Sequence, residues 1–157
     1  MPGTPLPAPS TTPPARATRR LRRRAQFQAV LSAAALVHTA HFALHGIATG
    51  GRVGARGVPL FPGDGAWLGA VIPKRWARRA VTRNALKRQI YAAEREHPLP
   101  PGAWVVRLKR PFPTTEFPSA TSAALRHAAR LELRELLGAR LRQRLAAGAP
   151  PCTVATA

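Results

Sequence analysis

The chain has 157 residues and a formal net charge of +19, from 25 Lys and Arg against six Asp and Glu. This length suits one domain, and so large a positive excess attracts polyanions, with nucleic acid the first partner to consider and an anionic membrane surface the second. The six acids show no pair at metal-ligand spacing and Cys152 is the single cysteine, so composition argues against a self-sufficient metal-dependent nuclease, a zinc site and a disulfide framework.

The first 20 residues are predicted to form a disordered arm. They include six Pro between positions 2 and 14, end in a run of Arg and contain no acid. A transit peptide is the alternative, although the Pro content argues against an amphipathic helix. No apolar run reaches the length of about 18 residues that a membrane helix needs. The absence of such a run and the lone cysteine lead us to expect a cytoplasmic protein.

A short amphipathic helix is predicted to open the ordered part, near Leu21. Phe27, Val30 and Leu31 fall at positions i, i+3 and i+4, which places them on one helix face. Packing into the core is the default role for Phe27.

The next segment, residues 39–45, alternates in polarity. Phe42 and Leu44 share one face, and His41, Ala43 and His45 share the other. This pattern predicts a strand with one face buried and the opposite, polar face exposed. A metal-binding pair of His41 and His45 is the alternative, but the sequence offers no third ligand.

The remaining elements alternate between strands and helices. Residues 46–65, with seven Gly and two Pro, predict a long loop between two strands. The apolar run 67–72 predicts a central strand that Pro73 ends, and a basic segment leads into a helix that reaches about Glu96. Residues 103–108 predict another strand, and a last amphipathic helix runs from Ser122, as N-cap, to about Leu145. The fold class is therefore α+β, one small sheet covered by helices.

The basic helix has two distinct faces when successive residues are placed about 100° apart. Leu86, Ile90 and Ala93 form a narrow apolar stripe that we expect to pack on the sheet. The neighbouring surface carries Arg83, Asn84, Lys87, Arg88 and Tyr91, and the segment just upstream adds Lys74, Arg75, Arg78 and Arg79.

These residue types suit an RNA or DNA backbone. Cations bind phosphates, Asn84 both donates and accepts hydrogen bonds, and Tyr91 stacks on a base or sugar. The start of the helix adds free backbone N–H groups that favour phosphate. A solvated basic face is the alternative, and charge alone does not choose between RNA and DNA.

The order of the residues is more specific than their charge. The run Lys-Arg-Trp-Ala-Arg-Arg-Ala-Val-Thr-Arg-Asn-Ala-Leu-Lys-Arg at 74–88 resembles the signature of the bacterial ribonuclease P protein component. In that family a strand ends in paired cations, and the helix after a basic turn opens with Arg-Asn-Arg-x-Lys-Arg. Arg83, Asn84, Lys87 and Arg88 keep this register, and Ala85 replaces the third motif residue. Segments 24–31, 42–45 and 102–110 resemble the family's first helix, first strand and later strand, so the likeness covers roughly residues 21–143.

The resemblance implies a fold and a set of sites. The fold would be a two-layer sandwich of a small mixed sheet, about four strands, with three helices and a left-handed β-α-β crossover, in a domain spanning 21–143 before a disordered tail at 144–157. Nine residues would bind the catalytic RNA: Lys74, Arg75, Arg78, Arg79, Arg83, Asn84, Lys87, Arg88 and Tyr91. Phe27, Leu31, Ala43 and His45 would line a cleft for the single-stranded leader.

The implied activity belongs to a ribonucleoprotein. The RNA subunit would cleave the 5′ leader from precursor tRNA with Mg²⁺ held mainly by RNA, while one copy of the protein, with no catalytic or metal-binding residue of its own, would bind both RNAs. Two other hypotheses remain: a basic structural protein such as a small ribosomal protein, suggested by charge alone, and a protein-only nuclease, which the shortage of acids disfavours.

Overall fold

The computed structural model describes residues 18–63, 65–113, 117 and 122–148. Within these residues, five strands form one mixed sheet: β1 (Arg19–Arg20), β2 (Val37–His38), β3 (Phe42–Ile47), β4 (Ala66–Val71) and β5 (Gly102–Leu108). Their order across the sheet is β1-β4-β5-β3-β2, with β1, β4 and β5 parallel and the other pairs antiparallel. The strand β5 lies at the centre of the sheet, between β4 and β3.

Local sequence signals mark the start of the third helix and the end of the second among the four α-helices of the described residues. The helices are α1 (Arg24–Leu31), α2 (Ala80–Glu96), α3 (Ala123–Glu135) and α4 (Leu141–Ala146), and a π-helical turn at Leu136–Arg140 joins the last two. The Ser122 hydroxyl accepts a hydrogen bond from the N–H of Leu125 at 3.1 Å, as predicted for an N-cap. Helix α2 ends at Glu96 because Pro98 disfavours a helical conformation at His97.

Both faces of the sheet are covered. Along β5, Trp104, Val106 and Leu108 face the core shared with α2 and α3, while Ala103 and Val105 face the smaller core under α1. The α+β class and the mixed sheet are confirmed, with one more strand than the approximate count of four. Helix α2 connects the parallel neighbours β4 and β5, so the β-α-β unit is present, and its left hand stays a prediction.

The predicted Gly-rich loop, residues 46–65, begins two residues later than predicted, because Gly46 and Ile47 belong to β3, and most of its described residues are exposed. It connects β3 to β4, two strands separated by β5, as its predicted role between strands requires. A bridge between Val53 and Pro59 and a short 3₁₀ turn organise it, and Leu60 and Phe61 are buried in the core under α1. Gln26 of α1 donates to the carbonyl of Leu60 at 2.9 Å, which ties the loop to the helix.

Two domain boundaries differ from the prediction. Arg19 and Arg20, assigned to the disordered arm, pair with Trp67 and Leu68 as a strand, because β4 offers them an open edge. At the other end, α4 continues through Ala146, past the predicted start of the tail at 144. The rest of both predicted tails, 1–17 and 149–157, lies outside the described residues. Among the described helices, none is long and apolar enough to cross a membrane.

Candidate nucleic-acid interface

A tight basic turn separates β4 from α2. The N–H groups of Trp76 and Ala77 both bind the carbonyl of Pro73, at 3.0 and 3.1 Å, and Ala77 is buried in the core. This anchoring leaves four cationic side chains exposed, those of Lys74, Arg75, Arg78 and Arg79. The Arg75 guanidinium lies 4.9 Å from the centroid of the Trp76 ring.

Helix α2 orients its faces as the sequence predicts. Leu86, Ile90 and Ala93 are buried against the sheet. Asn84, Lys87 and Arg88 are exposed on the opposite side. The three polar side chains are therefore accessible to a ligand, and their role in RNA binding stays a prediction.

Arg83 differs from its exposed neighbours on the helix. Its side chain is half-buried, and Nη1 donates to the carbonyl of Ala77 at 3.1 Å and to that of Arg78 at 2.7 Å. Arg83 thus closes the basic turn onto α2. Its first role in the folded chain is to hold the turn that displays Arg78 and Arg79.

Tyr91 is engaged by the N-terminal strand. The Arg20 guanidinium lies 4.1 Å from the centroid of its ring, and burial raises the pKa of the Tyr91 hydroxyl. The hydroxyl of Thr18 donates to the buried carboxylate of Glu94 one turn along α2, which holds the strand in place. Arg20 therefore covers one face of the Tyr91 ring, and its guanidinium takes the place on this surface that the sequence predicted for the ring. We name Arg20, Asn84, Lys87 and Arg88 the α2 basic surface; Arg20 was missed because its segment reads as a disordered arm.

The predicted leader cleft is only partly open. Phe27 and Leu31 of α1 are half-buried, but Ala43 and His45 are 0% and 6% exposed. The prediction of an exposed polar face on β3 is wrong, because α1 covers that face of the sheet. The structure also does not support the alternative of a metal-binding pair of His41 and His45. His41 lies outside the strand, and its Nδ1 binds the carboxylate of Glu132 at 2.9 Å.

His45 supports the floor of the cleft. Its Nδ1 donates to the carbonyl of Ala33 at 2.9 Å, and Nε2 has no partner among the described residues. Burial, followed by the charge of Arg107, lowers the pKa of His45, against the opposing effect of the Ala33 hydrogen bond. The ring is therefore neutral near pH 7 and anchors the chain after α1.

Arg107 is a cation beside the same helix that the sequence reasoning missed. It pairs with Ala43 on one side and Val71 on the other, and strand alternation from Val105 places it on the α1 face. The detectable signal was one charge inside the apolar run 103–108. Phe27, Leu31, Val71 and Arg107 are all half-buried on this face of the sheet, and we name the surface that they share the α1 groove.

Each carboxylate among the described residues forms a hydrogen bond or an ion pair with another side chain of the protein. Glu94 binds Thr18, Glu132 binds Thr39 and His41, Glu135 binds Arg140, and Glu96 binds Arg130 and Arg134. Among described residues no group of three potential metal ligands occurs. Asp64, Glu116 and Cys152 lie outside them.

Comparisons with known proteins show the family to which the chain belongs. The sequence profile of the family described as Ribonuclease P matches residues 16–137. The chain is 34% identical over 134 residues to the ribonuclease P protein component of Paraburkholderia xenovorans (strain LB400), covering 84% of this chain and 87% of that protein. It is 37% identical over 131 residues to the same component from Bordetella parapertussis, covering 80% and 92%.

The fold has a solved counterpart as well. The structure of the Staphylococcus aureus RNase P protein aligns with a TM-score of 0.52 at 18% identity, over 80% of this chain and 94% of that one. At this identity the likeness concerns the fold alone, whereas the sequence matches concern the family. The chain therefore belongs to the ribonuclease P protein family and is a component of the ribonucleoprotein that processes tRNA.

Proposed function

We propose that the chain binds the catalytic RNA of ribonuclease P through the α2 basic surface and its basic turn, and binds the 5′ leader of precursor tRNA in the α1 groove. One observation carries this proposal most strongly. The family motif lies on a strand-turn-helix unit whose apolar stripe is buried while Asn84, Lys87 and Arg88 are exposed.

Binding of the catalytic RNA would be mainly electrostatic. The cations of the turn and of α2 replace counterions condensed on the RNA, so affinity falls steeply with salt. Asn84 adds a hydrogen-bonding group beside them. Because Arg83 holds the turn against α2, the backbone that carries these cations would be positioned before RNA arrives.

Leader binding would use apolar contact and one charge. Phe27 and Leu31 offer a ring and an aliphatic edge to unpaired bases, and Arg107 offers a guanidinium to a phosphate or base. Ala43 and His45 would act beneath them as support. The groove lies on the face of the sheet opposite α2, so one copy of the protein can contact two RNA strands at once.

The chemical step would belong to the RNA subunit. Mg²⁺ held by the catalytic RNA and the substrate would activate the attacking water and stabilise the leaving oxygen. The chain's contribution would be to position the leader and to reduce phosphate repulsion between the two RNAs. We expect one protein per catalytic RNA and a cytoplasmic location.

Reconstitution tests this function directly. Full-length chain added to a bacterial ribonuclease P RNA at low Mg²⁺ should increase cleavage of a precursor tRNA at the mature 5′ end. A mixture with denatured chain serves as the control. Cleavage no faster than with RNA alone would rule out the proposed function.

A further inference from the structure

A cavity of about 480 Å³ opens where the basic turn and the start of α2 meet the segment after β5. Its lining includes Arg75, Trp76, Arg78 and Arg79 from the basic turn, and Phe112 and Phe117 from the segment after β5. This volume lies in the range of small-molecule sites, about 300–1,000 Å³. We name it the aromatic pocket.

The aromatic rings of the pocket contact one another and His41. Phe112 stacks on His41 at 4.1 Å with an interplanar angle of 13°, and Phe117 meets it edge-on at 5.7 Å. His41 is itself held by Glu132. The rings of Phe112, Phe117 and Trp76 are half-buried, so each keeps an accessible part. Accessible aromatic rings stack on a nucleobase without regard to its identity.

The basic part of the pocket suits a phosphate. Helix α2 has no side-chain cap at its N-terminus and no acid in its first turn, which leaves free N–H groups and the positive end of the helix dipole beside Arg78 and Arg79. The carbonyls of Ala77 and Arg78 are occupied by Arg83. Among the described residues that line the pocket there is no acid, and they bring cationic side chains together with aromatic rings.

We propose that the aromatic pocket receives one unpaired nucleotide of the catalytic RNA, with its base against Phe112 and Phe117 and its phosphate at Arg78, Arg79 and the start of α2. The pocket is lined by Leu86 of α2 and Leu125 of α3, on the face of the sheet opposite the α1 groove, which favours the catalytic RNA over the leader. This inference rests on the proposed function and adds a base-stacking site to it.

Affinity measurements with paired variants test the pocket. Phe117→Leu removes a ring at nearly constant apolar size, Phe112→Leu does so deeper in the wall, and Phe117→Trp retains a stacking partner. Each full-length variant is titrated with a ribonuclease P RNA over a range of salt. Loss of one stacked base should weaken binding by about 5- to 150-fold without changing the slope of log K against log salt, and Phe117→Trp should restore affinity.

Phe61→Leu provides the matched control, because Phe61 lies in the core under α1 and packs edge-on against Trp67. It should leave RNA affinity unchanged, which separates stacking from general destabilisation. If the wild-type chain stimulates cleavage but both Leu variants bind RNA as tightly as wild type, the pocket proposal is wrong while the function stands. A loss seen only with long-leader precursor would assign the nucleotide to the leader and overturn this proposal.

Discussion

Two cations of one motif, Lys87 and Arg83, have different surroundings at the residue scale. Lys87 is exposed, and no contact within the described protein engages its ammonium. If it binds a phosphate, Lys87→Ala should weaken binding of the catalytic RNA and reduce the salt slope by about one unit. Filter binding at several salt concentrations measures both. If affinity and salt slope are both unchanged, α2 is not part of the RNA interface.

Arg83→Ala should act first on folding. Its guanidinium donates to two backbone carbonyls. A hydrogen bond that involves a charged group contributes about 1.5–3 kcal/mol to the free energy of unfolding. We expect a loss of at least about 1 kcal/mol in the free energy of unfolding, measured by urea denaturation without RNA. Lys87→Ala is the matched control, since it removes an exposed cation on the same helix. Equal stability of the two variants would contradict the structural role of Arg83.

At the element scale, Gly69 allows α1 to lie close to β4. A Cβ at this position would lie 2.4 Å from Cε1 of Phe27, so Gly69→Ala must displace the ring. We expect a loss of about 1–3 kcal/mol in the free energy of unfolding, the usual cost of overpacking. Thermal or urea unfolding measures it. The cost should be smaller in a Phe27→Leu background, and an equal cost there would show that the ring is not the obstacle.

We expect the contact between α2 and α3 to weaken in acid, through the ion pairs of Glu96. Hydrogen bonds from Arg134 and Arg130 lower the pKa of Glu96 from 4.5 to about 2. Because the folded pKa lies below the unfolded one, the contribution of Glu96 to stability is present above about pH 4.5 and is lost as pH falls towards 2. Glu96→Gln should therefore flatten the decline of stability in this window, measured by urea unfolding. High salt should shrink the difference, since the pair is exposed.

The two candidate RNA surfaces lie on opposite faces of the sheet at the scale of the whole molecule. Arg107→Ala should raise KM for precursor tRNA with a long leader, with little effect on a substrate of one leader nucleotide. Lys87→Ala should raise the protein concentration needed to saturate the catalytic RNA. Because the sites share no side chain, the two changes should act independently. Their effects on the free energy of assembling the protein, the catalytic RNA and the precursor tRNA should add within about 0.5 kcal/mol in the double variant. Strong coupling would indicate a single shared site.

The sequence by itself determined the basic character, the α+β class and the position of each long element, since these depend on charge, periodicity and local signals such as Ser122 and Pro98. It also identified the exposed side of α2, because the apolar stripe of Leu86 and Ile90 leaves one orientation. The family motif added the ribonucleoprotein assignment, which charge alone leaves open.

Only the tertiary structure decided which side chains remain accessible. Alternation in residues 39–45 predicted an exposed face, yet α1 covers it, because helix docking depends on contacts distant in sequence such as Phe27 on Gly69. Long-range packing also brings Arg20 onto Tyr91 and places Phe112 beside the basic turn. The contacts of Arg83 are local, since it binds carbonyls five and six residues away, but they too form only in the folded turn. Periodicity reports on one element at a time, whereas burial and partnership depend on which elements meet.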